Sequence, residues 1–251
     1  MELQDFFKEH PKAALAYSGG VDSAYLLYAG LTSGGDVRPY YVKSQFQPAF
    51  EQRDALRLAK SLGVEPVVLE LDVLACPEIT SNPEMRCYHC KRRIMEAIRR
   101  AAAEDGYTLL LDGTNASDQS ADRPGMRALE EAGILSPLRL CGLTKPEIRA
   151  LSRAAGLFTW DKPAYACLAT RIPTGEEIDA EKLEKIEKSE DILFSLGFSD
   201  FRVRLRGENA LLQFTAGQLP AAKKRLEDIK SLLGNYFEGI SIDPEERKNS
   251  L

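Results

Sequence analysis

Short apolar runs alternate with amphipathic segments over the first two thirds of the chain, and this alternation restricts the fold more than any other feature. The runs Lys12 to Tyr17, Val37 to Val42, Glu65 to Leu71, Tyr107 to Asp112 and Ile134 to Leu138 are predicted strands. The segments Asp22 to Ala29, Phe50 to Leu62, Tyr88 to Ala103, Arg123 to Glu131 and Lys145 to Ala155 are predicted helices. Strands separated in this way pair in parallel, because each helix returns the chain across the sheet in a right-handed crossover. The expected class is therefore α/β, a doubly wound parallel five-stranded sheet covered by helices on both faces. Such sheets take their ligands at the carboxyl ends of the strands.

The first predicted strand runs directly into Ser18-Gly19-Gly20-Val21-Asp22-Ser23, and the first crossover helix follows. Adjacent glycines let backbone N-H groups turn toward one point, and the helix start adds unpaired N-H groups and a positive dipole end. The hydroxyls of Ser18 and Ser23 offer further donors. No Gly-Lys-Ser/Thr ending is present, so the lysine-bearing phosphate loop is not the type at hand. A junction of this kind holds an anion the size of pyrophosphate.

Beyond Gly175 the pattern changes to a long charged helix, Asp179 to Leu196, two strand-like runs, Phe201 to Leu205 and Ala210 to Phe214, another helix, and a last run, Gly239 to Ile242. We read this as a small α+β domain. The expected division is residues 1–170 and 171–251, with Ile172-Pro173-Thr174-Gly175 as the hinge and Pro244 to Leu251 as a frayed tail. No internal repeat is evident.

A chain of 251 residues is long enough for one full α/β domain with a smaller appended unit. No apolar run is long enough to cross a bilayer, and the acidic start Met1-Glu2-Leu3-Gln4-Asp5 has the features of neither a secretory nor a transit peptide. The expected location is cytoplasmic and no membrane partner is expected. With 38 acidic against 33 basic residues the net charge is -5, which disfavours a large nucleic acid as partner. The run containing Arg92, Arg93, Arg99 and Arg100 reads as a solvated helix face.

Five cysteines in a cytoplasmic chain point to free thiols, metal ligation or redox chemistry. Cys87 and Cys90 open the third crossover helix, where thiolates are stabilised and spaced to reach one metal centre. A closed zinc site would need four ligands, and a thioredoxin-type pair would follow a strand, so both fit poorly. Cys167, in the small-residue segment Lys162 to Arg171, is the third candidate, while Cys76 and Cys141 read as packed residues. Three cysteines can hold three irons of a 4Fe-4S cluster and leave the fourth open to sulfide. Arg202 and Arg204 flank Val203 on a predicted strand, so both point the same way and can fork onto a phosphate.

The hexapeptide resembles the pyrophosphate loop of the ATP-pyrophosphatase (PP-loop) superfamily, whose members adenylylate a substrate and then displace AMP with nitrogen or sulfur. The resemblance implies an adenine nucleotide alpha hydrolase-like fold. It also makes Ser18, Gly19, Gly20, Val21, Asp22 and Ser23 the ATP site, with Asp22 organising the loop or Mg2+. Further motifs narrow it: Asn82-Pro83, Arg86-Cys87-Tyr88-His89-Cys90-Lys91, Asp112-Gly113-Thr114-Asn115-Ala116-Ser117-Asp118, Arg123-Pro124-Gly125, Ser136-Pro137-Leu138, Leu143-Thr144-Lys145, Thr159-Trp160-Asp161-Lys162-Pro163 and Arg202-Val203-Arg204. Together these resemble the LarE family, sulfurtransferases acting on pyridinium-3,5-biscarboxylic acid mononucleotide for the nickel-pincer cofactor of lactate racemase.

The resemblance implies a 4Fe-4S cluster on Cys87, Cys90 and Cys167, and a substrate-phosphate clamp of Arg202 and Arg204, with Glu190 on the preceding helix orienting the two arginines and Asp118 facing the same cavity. Cys87, Cys90, Cys167 and Asp22 are then the catalytic set. The alternatives are a sacrificial-cysteine version using Cys167 alone, an iron-sulfur tRNA thiolase, and a nucleotide-binding redox sensor. The expected partners are a nicotinate-derived mononucleotide and a second copy of the chain; the sulfur donor is not encoded in any motif.

Overall fold

The computed structural model describes residues 2–118 and 124–247. Arg123, with the predicted helix start it carries, and the last part of the predicted tail lie outside the described residues. In chain order the elements are α1 (Leu3–Glu9), β1 (Lys12–Ala16), α2 (Val21–Thr32), β2 (Asp36–Lys43), α3 (Ala49–Ser61), β3 (Val67–Glu70), α4 (Pro77–Thr80), α5 (Arg86–Glu104) and β4 (Leu110–Leu111). There follow α6 (Pro124–Glu131), α7 (Pro137–Leu140), α8 (Lys145–Ala154), a 3-10 turn at Leu168–Arg171, α9 (Ala180–Ser195), β5 (Phe201–Arg206), β6 (Asn209–Phe214), α10 (Leu219–Lys224), α11 (Leu226–Leu233) and β7 (Gly239–Ile242).

The chain forms two compact units, Met1–Val73 with Met85–Lys162, and Leu74–Glu84 with Pro163–Leu251. In the first, the strands all pair in parallel in the order β3-β2-β1-β4, so the order of strand addition switches sides between β1 and β4. The register sets Ala14 against Arg38 and Leu110, and the alternation of β1 sends Ala13 and Leu15 into one buried cluster and Ala14 into another. The first cluster takes Leu26 and Leu27 of α2, Leu58 of α3 and Ile148 of α8; the second takes Met95 and Ile98 of α5 and Leu129 of α6. Each such side chain contributes about 1.5–3 kcal/mol when removed from water. Helix α1, unforeseen in the sequence, buries Leu3, Phe6 and Phe7 at helical spacing.

The α/β class stands, with four strands rather than five. The fifth run is reduced to an isolated parallel bridge between Leu111 and Leu135, where Leu135 N donates to Leu110 O and Asp112 N donates to Leu135 O. Two residues later Pro137 removes the next donor and starts α7, which ends the pairing.

In the second unit β5 runs antiparallel to β6, and β6 runs parallel to β7 after the crossover through α10 and α11. Asp179 caps α9 by accepting from Lys182 N at 2.8 Å, and that helix buries Leu183, Ile186 and Leu193. The sequence reading placed the change of domain after residue 170; here the chain passes between units at Lys162 and Pro163, and the excursion Leu74–Glu84 joins the second unit. Asn82, at φ 51, donates to Pro173 O at 2.7 Å and accepts from Gly175 N at 2.8 Å. The segment read as a hinge is therefore pinned by the Asn82-Pro83 motif.

Candidate functional site

Ser18 to Ser23 leaves the carboxyl end of β1 beside this switch in strand order, where α/β sheets place their ligands. Gly20 caps α2, and Gly19 has φ +73, open to glycine at little cost. A Cβ on Gly19 would lie 2.5 Å from Ala55 Cβ, so α3 closes against the turn. A Cβ on Gly20 would meet only Ser18 Oγ at 3.4 Å, an ordinary contact. The two glycines are thus unequal. Ser23 Oγ lies 3.1 Å from Ser18 Oγ and accepts from Ser18 N at 3.3 Å, and Ser18 Oγ accepts from Gly20 N at 3.3 Å. These bonds, with Ser23 Oγ donating to Gly20 O at 3.3 Å, tie the turn together at the α2 N-terminus, the end of a helix that attracts anions.

Asp22, in the first turn of α2, accepts from Lys145 Nζ at 2.5 Å and from Asn115 Nδ2 at 3.4 Å. Burial is the largest influence on its carboxyl and raises it above the usual range against the pull of Lys145. Lys145 begins α8, whose capping box joins Thr144 and Glu147. It supplies the cation that the loop itself lacks. Neither Lys145 nor Asn115 was singled out as a site residue from sequence, although both sit in motifs that carried the resemblance.

The segment after β4 supports this arrangement. Asp112 is buried and accepts from Thr114 Oγ1 at 2.5 Å and Ser136 Oγ at 2.6 Å. Gly113 approaches so closely that a Cβ would lie 2.9 Å from Ser23 N. Asp118 accepts from Asn115 N at 3.0 Å, and its carbonyl accepts from Arg139 Nη2 at 2.5 Å. Asp118 thus holds the turn that presents Asn115 to Asp22.

Cys87 and Cys90 lie in the first two turns of α5, three residues apart and so on the same side, Cys87 exposed and Cys90 half-buried. Arg86 Nη2 lies 3.6 Å from Cys87 Sγ as a donor. Two thiols outside any disulfide at a helix N-terminus, one of them beside a guanidinium, fit two ligands of an iron-sulfur cluster. Among the described residues, no group of three or more His, Cys, Asp or Glu stands ready to hold a metal ion. Cys167 belongs to the second unit, where it caps the 3-10 turn Leu168–Arg171.

Within that unit a buried charge network organises the Cys167 segment. Arg171 is fully buried and forks onto Glu190, Nε at 2.9 Å and Nη2 at 3.1 Å. Its Nη1 donates to Ala166 O at 2.7 Å, Cys167 O at 3.3 Å and Thr170 Oγ1 at 2.9 Å. Glu190 also accepts from Tyr165 Oη and, at 3.0 Å, from Val203 N. Burial and the Glu190 charge push the Tyr165 phenol well up, so it remains a donor. Burial lowers the Arg171 guanidinium, but the Glu190 carboxylate outweighs it and leaves Arg171 raised.

Arg202 donates to Phe201 O at 2.5 Å and Ala164 O at 2.6 Å, with Tyr165 between it and Arg171. Burial and the like charges of Arg171 and Arg247 push Arg202 down to about 10. Arg204 donates through Nε to Gln213 Oε1 at 2.5 Å and through Nη1 to Thr170 O at 2.6 Å. Glu190 therefore orients Arg171 and Tyr165, where the sequence reading set it against Arg202 and Arg204.

No family model matches the chain. It is 36% identical over 219 residues to an uncharacterized protein of Synechocystis, covering 86% of this chain and 81% of that one. It is 29% identical over 214 residues to the pyridinium-3,5-bisthiocarboxylic acid mononucleotide synthase of Lactiplantibacillus plantarum, covering 84% and 78%. It is 24% identical to the tRNA-specific 2-thiouridylase of Thermotoga neapolitana, covering 93% and 80%. No described helix is long and apolar enough to cross a membrane.

Proposed function

Because the chain belongs to the LarE family of the PP-loop superfamily, we propose that it adenylylates a carboxylate of pyridinium-3,5-biscarboxylic acid mononucleotide and replaces oxygen with sulfur at the expense of ATP. The observation that carries this reading is the Gly19 turn at the end of β1, which leads straight into the N-terminus of α2 and is tied in place by the hydroxyls of Ser18 and Ser23. Such a cradle stabilises the pyrophosphate that departs when a substrate carboxylate oxygen attacks the α-phosphorus. Asp22 would be the carboxylate that holds a magnesium ion against the phosphates, and Lys145, now bonded to Asp22 at 2.5 Å, would be released to meet the phosphate charge.

A sulfur nucleophile then attacks the acyl carbon, the carbon-oxygen bond to AMP breaks, and a thiocarboxylate and AMP are released. We assign Cys87, Cys90 and Cys167 as ligands of a 4Fe-4S cluster, which would supply sulfide on its open iron. The sequence motifs support this assignment, as does the pair of thiols, one exposed and one half-buried, at the start of α5. The first unit would then handle nucleotide and the second the mononucleotide substrate, whose product enters nickel-pincer cofactor assembly in the cytoplasm. The likeness to a tRNA thiolase offers a second reading, against which the net charge of -5 weighs.

The test is anaerobic turnover with ATP and the biscarboxylic mononucleotide, following pyrophosphate and thiocarboxylate separately. Both products are expected; thiolated tRNA with no thiocarboxylate would establish the second reading. Cys90→Ala should keep pyrophosphate release and lose at least about 90% of thiocarboxylate, since it leaves the adenylylation residues intact. Equal loss of both would contradict the division of labour. Iron and sulfide analysis should return about four irons per chain; an iron-free protein whose Cys167 loses the mass of hydrogen sulfide during turnover would establish the sacrificial route. Lys145→Ala should have the opposite signature, weakening ATP binding about tenfold or more as one charge-assisted bond is removed. An unchanged ATP affinity by calorimetry would dismiss Lys145 from the site.

A further inference from the structure

Lys162, the last residue of the first unit, is held in the same way as Lys145. Its Nζ donates to Asp54 Oδ2 at 2.8 Å, as Lys145 Nζ donates to Asp22, and both lysine side chains are largely shielded, 16% and 25% exposed. Asp54 lies on α3 immediately before Ala55, the residue against which Gly19 closes. Tyr17, one residue before the loop, donates to Ala55 O at 2.9 Å. Burial pushes its phenol up, and the Tyr41 phenol and the Asp54 carboxylate act on it in the same direction. The segment Tyr17 to Asp22 therefore runs between two lysine-aspartate pairs, one made by Asp22 itself and one beside Ala55. The four groups sum to no net charge. A polyphosphate entering the loop would meet two carboxylates unless their lysines turned toward the anion.

The side chain of Lys162 can change partner while its root stays fixed. Lys162 N donates to Thr159 O at 3.1 Å, Lys162 O accepts from Arg149 Nη2 at 2.9 Å, and Pro163 restricts the backbone before it. The ammonium, by contrast, sits at the end of a flexible stem, on the Asp54 carboxylate and 5.6 Å from the ring centre of Phe50, one turn earlier on α3. A pair of this partial exposure contributes little to stability, so an anion carrying several charges can take the lysine at small cost. We propose that Lys162 is a second phosphate-binding lysine of this site, held by Asp54 until the phosphates of a nucleotide draw it to them. Lys145 then answers for the α2 side of the loop and Lys162 for the α3 side. This deepens the reading of Ser18 to Ser23 as a pyrophosphate cradle and rests on it.

Calorimetry with magnesium pyrophosphate on the whole protein tests this, because the two members of the pair should act with opposite sign. Lys162→Gln should weaken pyrophosphate binding about tenfold, as a charge-assisted bond is lost. Asp54→Asn should tighten it about two- to fivefold, since the lysine no longer has to be taken from a carboxylate. Glu51→Gln, which removes the same charge from the first turn of α3, is the control and should leave the affinity within about twofold. Weaker binding in both Lys162→Gln and Asp54→Asn would mean that the pair only braces α3, and unchanged binding in Lys162→Gln would dismiss the lysine; either overturns the proposal, as does a gain in Glu51→Gln equal to that in Asp54→Asn. Should Lys162→Gln not fold, the comparison of Asp54→Asn with Glu51→Gln decides alone. A wild type that binds no pyrophosphate would remove the cradle reading and Lys162 with it. The expected affinities together with a pyridinium substrate that is never thiolated would defeat the functional reading and leave Lys162 in place.

Discussion

Arg171→Met is expected to destabilise the second unit by about 3–5 kcal/mol, the usual cost of removing one partner from a buried ion pair. Methionine fills much of the same space, so the loss is not chiefly one of packing. It arises because Glu190, itself 1% exposed, would keep its charge with only Tyr165 Oη and Val203 N as donors. The carbonyls of Ala166 and Cys167 would lose a buried donor as well. Urea unfolding should therefore be accompanied by faster amide exchange across Ala164 to Thr170. The double variant Arg171→Met with Glu190→Gln should lose less than the sum of the two single losses, since the uncompensated charge is gone. A loss below about 1 kcal/mol in the single variant would mean that this network contributes no more than an exposed pair does.

Gly19→Ala should cost as much by a different route. The left-handed conformation costs about 1–2 kcal/mol for a residue with a Cβ, and overpacking typically adds about 1–3 kcal/mol. The overlap is with α3 itself, since the new methyl would lie 2.7 Å from Ala55 Cα, while Tyr17 Oη already fixes Ala55 O at 2.9 Å. Either α3 retreats or the turn opens, and an opened turn loses the bonds that tie it together at the α2 N-terminus. ATP affinity should fall at least about tenfold together with stability. Gly20→Ala is the internal control, because its φ of -74 suits any residue and its nearest foreign atom is Ser18 Oγ at 3.4 Å. Equal behaviour of the two variants would show that glycine is required for approach of the ligand rather than for the shape of the loop.

The loop, the α/β class and most helices were legible because each is written locally, in hydrophobic period or in glycine placement. The fifth strand was not. Ile134 to Leu138 has the composition of a strand, but Pro137 removes the donor that pairing needs and begins α7. Lys145 was hidden for another reason: it meets Asp22 across 123 positions of sequence, and a lone lysine at a helix start reads as solvated. The arginines of β5 show the limit of periodicity. It places Arg202, Arg204 and Arg206 on one face, yet only the fold decides that Arg202 spends its donors on backbone carbonyls. Likewise the motif at Thr159-Trp160-Asp161-Lys162-Pro163 is held by Arg149, which donates to Trp160 O at 2.6 Å and Lys162 O at 2.9 Å.

The order in which a ribosome delivers this chain gives the Leu74–Glu84 excursion a consequence of its own. Thr80 and Asn82 bond to the distant residues Ile178, Ile172, Pro173 and Gly175, so this eleven-residue excursion emerges early and must wait through the whole of residues 85–162, and on to Ile178, before those long-range bonds can form. During that interval Ile79, destined to be fully enclosed, is left to water or to a chaperone. A nascent chain stalled before Pro173 should therefore be cut by protease within this stretch, and protection there should arrive only once the C-terminal unit is complete.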